Sequence, residues 1–401
     1  MEYKIKILRY IDKYIFWLLN ICLFFVKNIW NNPPLPNPPP KGEGIEQERV
    51  EQKKNQNQKK LKKILVIRLW ALWSSILTFP MIKQLKKHYW TSIEYSVLTT
   101  TRTIWIYKNQ WYFDTYLNLF CLKDLIGLIF SFKKYDIVID TEEYFNVSSL
   151  VSLWIWKINI WYDSIFTRKI VYNNPVNYDD KIHACLWFLN LLKPLWIEIK
   201  KTKKLESFKY TKNNAKNVDK FFYNIETRLI ASLHYKKICF HTQWAETSKD
   251  RFWNEKNWIK LIDKLIDNKV VIFLSWTDFE KEWVLDILKR VKNKNVINIC
   301  NEFSLWEFAY FLKKCDLVIS NDTWPMHLSA SMWTKTIWLF WPNLPSRFWA
   351  YPLDKNINIY KWDWKPSINV HKWNFRIDKN NFVNKISVDE VYEVIEESLG
   401  V

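Results

Sequence analysis

The chain has 401 residues, of which 49% are apolar, enough for two ordinary domains with their own cores plus extra segments. Its formal charge of +19 calls for an anionic partner, and nucleic acid, anionic lipid and sugar nucleotides all satisfy that balance. The six cysteines, at 22, 121, 185, 239, 300 and 315, form no C-x-x-C pair and stand beside no clustered histidines; they read as reduced residues of a cytosolic protein, without disulfide framework or metal site.

Residues 1–30 open basic and continue as the apolar run Tyr14 to Val26 between Lys13 and Lys27. The run is shorter than the ~20 residues of a spanning helix, and the absence of a small-residue cleavage site argues against a removable signal peptide. Three readings stay open: an interfacial helix on an anionic inner leaflet, a helix packed on the protein's own body, or a short span extended by Ile5 to Ile11. Residues 31–61, NNPPLPNPPPKGEG and a Gln/Lys/Glu run, have no apolar periodicity and read as a disordered linker. Residues 1–63 hold 13 Lys/Arg against 6 Asp/Glu, so +7 of the +19 lies there.

A first α/β domain is expected over 62–205. Lys63 to Leu69 is a buried-type strand, and Ala71 to Leu77 leads into a helix that ends near Tyr89. Tyr135 to Asp140 is a further strand with Thr141-Glu142-Glu143-Tyr144-Phe145 at its carboxyl end. His183 reads as a packed or surface histidine. Residues 200–230 are polar and basic and read as a bridge, which puts the domain boundary near 205–232. The second domain, 232–400, opens with the strand Lys237 to His241 and a loop from Thr242 that contains Arg251 and Trp253. A helix over 255–268, the strand Val270 to Ser275 and a loop Trp276 to Glu280 follow, then a strand at 295–299 and a helix from Leu305 to Lys314. Val388 to Leu399 is an amphipathic closing helix.

The organising stretch is 315–349, CDLVISNDTWPMHLSASMWTKTIWLFWPNLPSRFW. Asp316 to Ser320 is a strand, and Asn321-Asp322-Thr323 reads as a turn and helix N-cap. Pro325 fits a first helical turn, His327, Leu328 and Met332 recur at helical spacing, and Thr336 to Phe340 is a second strand. Acidic and hydroxyl groups thus sit at a strand's carboxyl end, where open parallel sheets bind ligands and a helix N-terminus favours phosphate. Tight turns there need glycine, yet tryptophan stands at 324, 333, 338 and 341. Across the chain, 26 Trp and 4 Gly make 30 of 401 residues, close to the roughly 7% usual for glycine alone. Most of these tryptophans are therefore expected to stand where the working protein has glycine. A gene whose UGA codons mean glycine in its host, translated with UGA as tryptophan, would produce that exchange.

With glycine restored, the stretch reads DLVISNDTGPMHLSASMGTKTIGLFGP and resembles the lipopolysaccharide heptosyltransferase family, glycosyltransferase family 9. The resemblance covers about 62–400 and implies a GT-B architecture, two Rossmann-like α/β domains facing across a cleft, with the N-terminal apolar helix and disordered linker outside it. It implies an inverting transferase that moves a heptose-like sugar from a nucleotide-diphosphate donor to a lipopolysaccharide or other cell-surface glycan. The enzyme would be cytoplasmic and peripheral to the inner face of the membrane. Its partners would be the nucleotide sugar, the glycolipid or polysaccharide acceptor and the anionic membrane surface, with no nucleic acid, no metal and no cofactor.

By the same resemblance, Trp70, Trp73 and Ser74 mark the first strand-to-helix loop, RLGALGSS. Many members carry an aspartate as general base where this chain has Ser74, and a serine hydroxyl is far too weak a base. Asp140, Glu142 and Glu143 are candidates for that role or for acceptor binding, with N-cap or solvated acids as the plain alternative. In the second domain, the residues expected at the donor are Thr242, Arg251, Glu280, Asp322, Thr323, Trp324 and His327. A guanidinium suits a diphosphate and a carboxylate suits ribose hydroxyls; Arg251 as a surface residue and His327 as a packed one are the rival readings. Trp154, Trp156, Trp161 and Trp196 fall at loop-like places. Three further functions stay open: a non-catalytic nucleotide or glycan binder, favoured by Ser74, a basic protein that binds membrane or nucleic acid through its first segment, and a GT-B sugar-nucleotide epimerase.

Overall fold

The computed structural model describes residues 61–361 apart from 90–92, 109, 144, 165–167, 169–171, 180, 203, 229–234, 243–251, 267–268, 276–280, 341–344 and 352–353. It also describes Asp12, Tyr14 and residues 382–400. The expected N-terminal helix and linker, Arg251, Glu280 and Trp341 lie outside the described residues. The chain divides into two compact units, Met1–Thr202 and Lys203–Val401.

The first unit is a six-stranded parallel sheet ordered β3-β2-β1-β4-β5-β6. Its strands are β1 (Lys63–Ile67), β2 (Glu94–Thr99), β3 (Thr115–Asn118), β4 (Tyr135–Asp140), β5 (Trp156–Tyr162) and β6 (Asn174–Val176). The helices are α1 (Leu72–Leu77), α2 (Phe79–His88), α3 (Ile104–Lys108), α4 (Leu122–Ile129), α5 (Asn146–Ile155) and α6 (Ala184–Asn190). Continuous apolar runs such as KILVI and YDIVID make strands buried on both faces, as parallel sheets require. Their side chains Leu65, Ile67 and Val138 pack with Leu98, Leu128 and Ile155 in one cluster; each contributes roughly 1.5–3 kcal/mol by leaving water.

The second unit repeats the plan, with order β12-β11-β10-β7-β8-β9. Its strands are β7 (Lys236–His241), β8 (Val270–Ser275), β9 (Val296–Asn298), β10 (Leu317–Asn321), β11 (Thr336–Leu339) and β12 (Ile357–Ile359). The helices are α7 (Lys212–Arg228), α8 (Glu255–Leu265), α9 (Lys281–Val291), α10 (Leu305–Lys314), α11 (Trp324–Ser331), α12 (Pro345–Phe348) and α13 (Val388–Leu399). Renumbered from its own first strand, this sheet has the same order as the first, that of a doubly wound dinucleotide-type fold. Trp253 is fully buried, donates Nε1–H to the Ile386 carbonyl at 3.0 Å and meets Trp258 edge to face.

Several expectations change. The segment read as a bridge carries α7, whose Val218, Phe222 and Ile225 are buried; Phe222 stacks on Phe311 of α10 at 5.2 Å. Apolar residues at helical spacing inside a basic sequence are enough to hold a helix on a neighbour. Trp154, Trp156 and Trp161 lie in α5 and β5 rather than in loops. Trp338 lies in β11, fully buried and stacked on Phe340, so no turn demands glycine there. In contrast, Trp111, Trp196 and Trp333 have φ of 56°, 60° and 65°. That left-handed region is an outlier for a bulky side chain and natural to glycine. Trp333 stands just past the α11 C-cap, Met332, and donates its N–H to the Ala330 carbonyl, the position where helices characteristically end in glycine. Trp111→Gly and Trp333→Gly are each expected to raise the free energy of unfolding by about 1 kcal/mol, measured by denaturant titration; a loss at both positions would contradict the strain argument.

Candidate functional site

In a doubly wound sheet, ligands gather at the carboxyl edge where strand order reverses. In the first unit that point lies between β1 and β4, paired in parallel with Ile67 opposite Asp140. Five of the expected site residues meet there. Glu142 Oε1 accepts the backbone N–H of Leu69 at 2.6 Å and of Trp70 at 3.1 Å, so its carboxylate holds the first loop in place. Arg68 is buried at the end of β1 and donates to the Thr141 carbonyl at 2.7 Å and to the Glu143 carboxylate at 3.3 Å. Its other terminal nitrogen donates to Ser74 Oγ.

Asp140 has a separate set of partners. Its Oδ1 accepts the Glu142 N–H at 2.9 Å, and its Oδ2 pairs with Arg168 and accepts from the Tyr172 hydroxyl. Arg168 stacks over Trp161 at 4.1 Å and donates to the Glu142 carbonyl at 3.0 Å. This pair is fully buried, so its charges are compensated by each other rather than by water. Glu142 differs: only 1% of it is exposed, and its Oε2 finds no hydrogen-bond partner among the described residues. Burial pushes its carboxyl up to about 7 against the pull of Arg68, and the neighbouring Glu143 and Asp140 add to the rise. For Arg68, burial alone would lower the value, but Glu142 and Glu143 outweigh it and hold the guanidinium charged. A carboxyl tuned near neutrality beside a fixed cation has the properties of a general base.

The second switch point lies between β7 and β10, with Ser320 opposite His241. Asn321 ends β10 and donates its side-chain N–H to the Thr242 carbonyl at 3.0 Å, which ties the two loops together. Asp322 and Thr323 are buried beside it, and Thr323 is the N-cap of α11. Its hydroxyl makes no cap bond to the helix; it lies 3.3 Å from Ser320 Oγ. Trp324 and Pro325 fill the first helical turn, and the Trp324 ring meets His241 and Phe308 edge on at 6.3 and 5.9 Å. Thr242 is fully buried, and its hydroxyl has no partner among the described residues. The edge therefore gathers hydroxyl, amide and carboxyl groups around the N-terminus of a helix, a combination suited to a phosphorylated sugar. His327 lies one turn on, fully buried with its ring edge on to Trp338 at 5.4 Å. His183 caps α6, where its Nδ1 accepts the Cys185 N–H at 3.2 Å.

The structure thus brings Asp140, Glu142, Glu143, Ser74 and the backbone of Trp70 together in one unit, and Thr242, Asp322, Thr323 and Trp324 in the other. Sequence reasoning missed Arg68, Arg168 and Tyr172 in the first site and His241 and Ser275 in the second, where His241 Nδ1 lies 2.9 Å from Ser275 Oγ, and it read Asn321 only as part of the turn. Arg68 and His241 each end an apolar strand run, and a charged or titratable residue in that place is a readable signal. Arg168 has no such signal, because its partner Asp140 lies 28 residues away. Among the described residues, no group of three His, Cys, Asp or Glu side chains is placed to hold a metal ion.

Comparison with known proteins gives a consistent picture. Residues 131–375 match the family model described as glycosyltransferase family 9 (heptosyltransferase). Lipooligosaccharide heptosyltransferase 2 of Campylobacter jejuni is 26% identical over 171 residues, 36% of this chain and 53% of that protein; the chain spans about half the length of that relative. A family 9 glycosyltransferase from Veillonella parvula superposes with a TM-score of 0.67 at 18% identity, covering 84% of this chain and 97% of its own. An E. coli heptosyltransferase bound to ADP-2-deoxy-2-fluoro heptose superposes with a TM-score of 0.61 at 17% identity, covering 84% and 99%. At these identities the two structures speak for the fold.

Proposed function

Because the chain belongs to glycosyltransferase family 9, we propose that it transfers a heptose-like sugar from a nucleoside-diphosphate donor to a lipopolysaccharide or related surface glycan. The observation that supports this most is the family match over residues 131–375, together with the polar turn Asn321-Asp322-Thr323 at the second switch point. In this reading the donor is a substrate, and no separate cofactor takes part. The N-terminus of α11 and Arg251 receive the diphosphate, an electrostatic role in which fixed donors meet the charge that develops on departure. Asp322 and Glu280 take sugar and ribose hydroxyls.

In the first unit, Glu142 takes the proton of the acceptor hydroxyl as that oxygen bonds to the anomeric carbon and the bond from that carbon to the diphosphate breaks. The configuration inverts in a single displacement. Glu142 is preferred over its neighbours because its Oε2 has no hydrogen-bond partner among the described residues and Arg68 stands 3.7 Å from its other oxygen, whereas Glu143 lies 3.3 Å from Arg68 and Asp140 is paired with Arg168. Glycine at 70 would remove an indole from the residue whose own N–H binds Glu142. The recoding of UGA is part of this proposal, and the left-handed Trp111, Trp196 and Trp333 support it; UGG codons at 70, 73, 324 and 341 would contradict it.

The reading is tested by equilibrium titration of the chain carrying glycine at 70, 73, 324 and 341 with ADP, UDP and GDP. Saturable binding of one of them is expected; binding of none would count against it. A non-catalytic binder is the second reading, favoured by Ser74, and would keep that binding without turnover.

A further inference from the structure

The face of α4 is arranged the wrong way round for a soluble helix. Leu122, Leu125, Ile126 and Ile129 fall at i, i+3, i+4 and i+7, the stripe that normally faces a core, yet all four are exposed, Leu122 at 71%. Leu128 is the helix's buried residue. Phe120, Phe130 and Phe132 extend the stripe at both ends, and Phe130 is 84% exposed. A contiguous apolar surface of this kind marks an interaction site.

Charge on the helix and in the turn that follows it points to the partner. Lys123 and Lys134 are exposed, and Lys133 lies over the Phe132 ring at 5.8 Å. The acid on the helix, Asp124, is turned inward and accepts the Asn118 N–H at 2.8 Å. An apolar stripe rimmed by lysines suits an anionic lipid surface, where chains meet acyl groups and ammonium groups meet phosphates. In a pairing of two copies, the same lysines would face each other.

A second observation adds to this. Helix α5 packs beside α4, where Trp154 donates Nε1–H to the Ile129 carbonyl at 2.7 Å. At its start, the Asp12 carboxylate accepts the N–H of Asn146 at 3.0 Å and of Val147 at 2.9 Å. The residue that anchors to α5 thus stands directly before the sequence Lys13 to Lys27, itself apolar with lysines at both ends.

We propose that the exposed face of α4, with Phe120, Phe130 and Phe132, docks the first unit on an anionic membrane. The proposal goes beyond the transfer reading and shares with it a lipid-linked acceptor. The test is flotation of the full chain with phosphatidylcholine vesicles containing roughly a third phosphatidylglycerol, against pure phosphatidylcholine. The chain is expected to float with the anionic vesicles, and Leu125→Asp with Ile129→Asp to weaken this by about tenfold or more. Phe130→Ser, at a site with little to lose in folding, should weaken it as well. Nucleotide binding and oligomeric state should stay as in the unmodified chain. Equal flotation of the variants and the unmodified chain would overturn the proposal. So would equal binding to uncharged vesicles, or a dimer that the aspartates convert to monomer. Vesicle binding that depends on α4 in a chain that binds no nucleotide would sustain the docking surface and count only against the transfer reading.

Discussion

Glu142→Gln is expected to lower kcat by about 10²- to 10⁴-fold, the usual contribution of a positioned general base, with little change in the affinity for donor. Glutamine keeps the shape and keeps an oxygen to accept the Leu69 and Trp70 N–H groups, while it removes the group that takes a proton. The pH dependence carries a second signature. The rate should rise as Glu142 loses its proton near pH 7 and level off above, because the ionised form is the active one. Stability should move the other way. Between the usual glutamate value of 4.5 and the folded value of about 7, the native state holds a proton that the unfolded state has released. The contribution of Glu142 to stability is therefore present at low pH and lost as pH rises through that window. In Glu142→Gln both slopes should flatten. Full activity in this variant, with Glu143→Gln inactive instead, would move the role to the neighbour.

Glycine at 70, 73, 324 and 341 together is expected to raise nucleotide affinity by about tenfold or more over the chain as written. A side chain at a position where backbone must approach a diphosphate excludes the ligand, and each well-placed backbone donor regained adds about 0.5–1.5 kcal/mol. Trp324 fills the first turn of α11, and Trp70 packs its ring on Phe145 at 5.3 Å. The conformational part of the argument is uneven. It is strong at Trp333, with its left-handed backbone; at Trp70 the positive φ of 64° falls one residue later, on Ala71. At Trp338 the ring is buried in β11. Unchanged affinity in the fourfold variant would count against glycine at those loops.

Much of the fold is legible in the sequence, because parallel strands buried on both faces leave unmistakable apolar runs. Tyr135–Asp140, Val270–Ser275, Leu305–Lys314 and Val388–Leu399 can be read to the residue. The edge strands β3 and β6 are short and mixed in composition, and α7 is concealed by its lysines. The candidate sites are legible as turns at strand ends: Glu142 and Asp322 can be found from position alone. Their electrostatics cannot, since Arg68 reaches Glu143 across 75 residues and Arg168 reaches Asp140 across 28. The exposure of α4 is equally hidden, because its stripe reads like that of any core-facing helix.

The most direct test is transfer itself, with the full chain carrying glycine at 70, 73, 324 and 341, an ADP-heptose donor and a lipid-linked core acceptor. Release of nucleoside diphosphate that depends on the acceptor, with an acceptor product heavier by one sugar, is the result expected. Donor binding with no product across a panel of sugar nucleotides and acceptors would contradict it and leave a binding protein on a transferase fold.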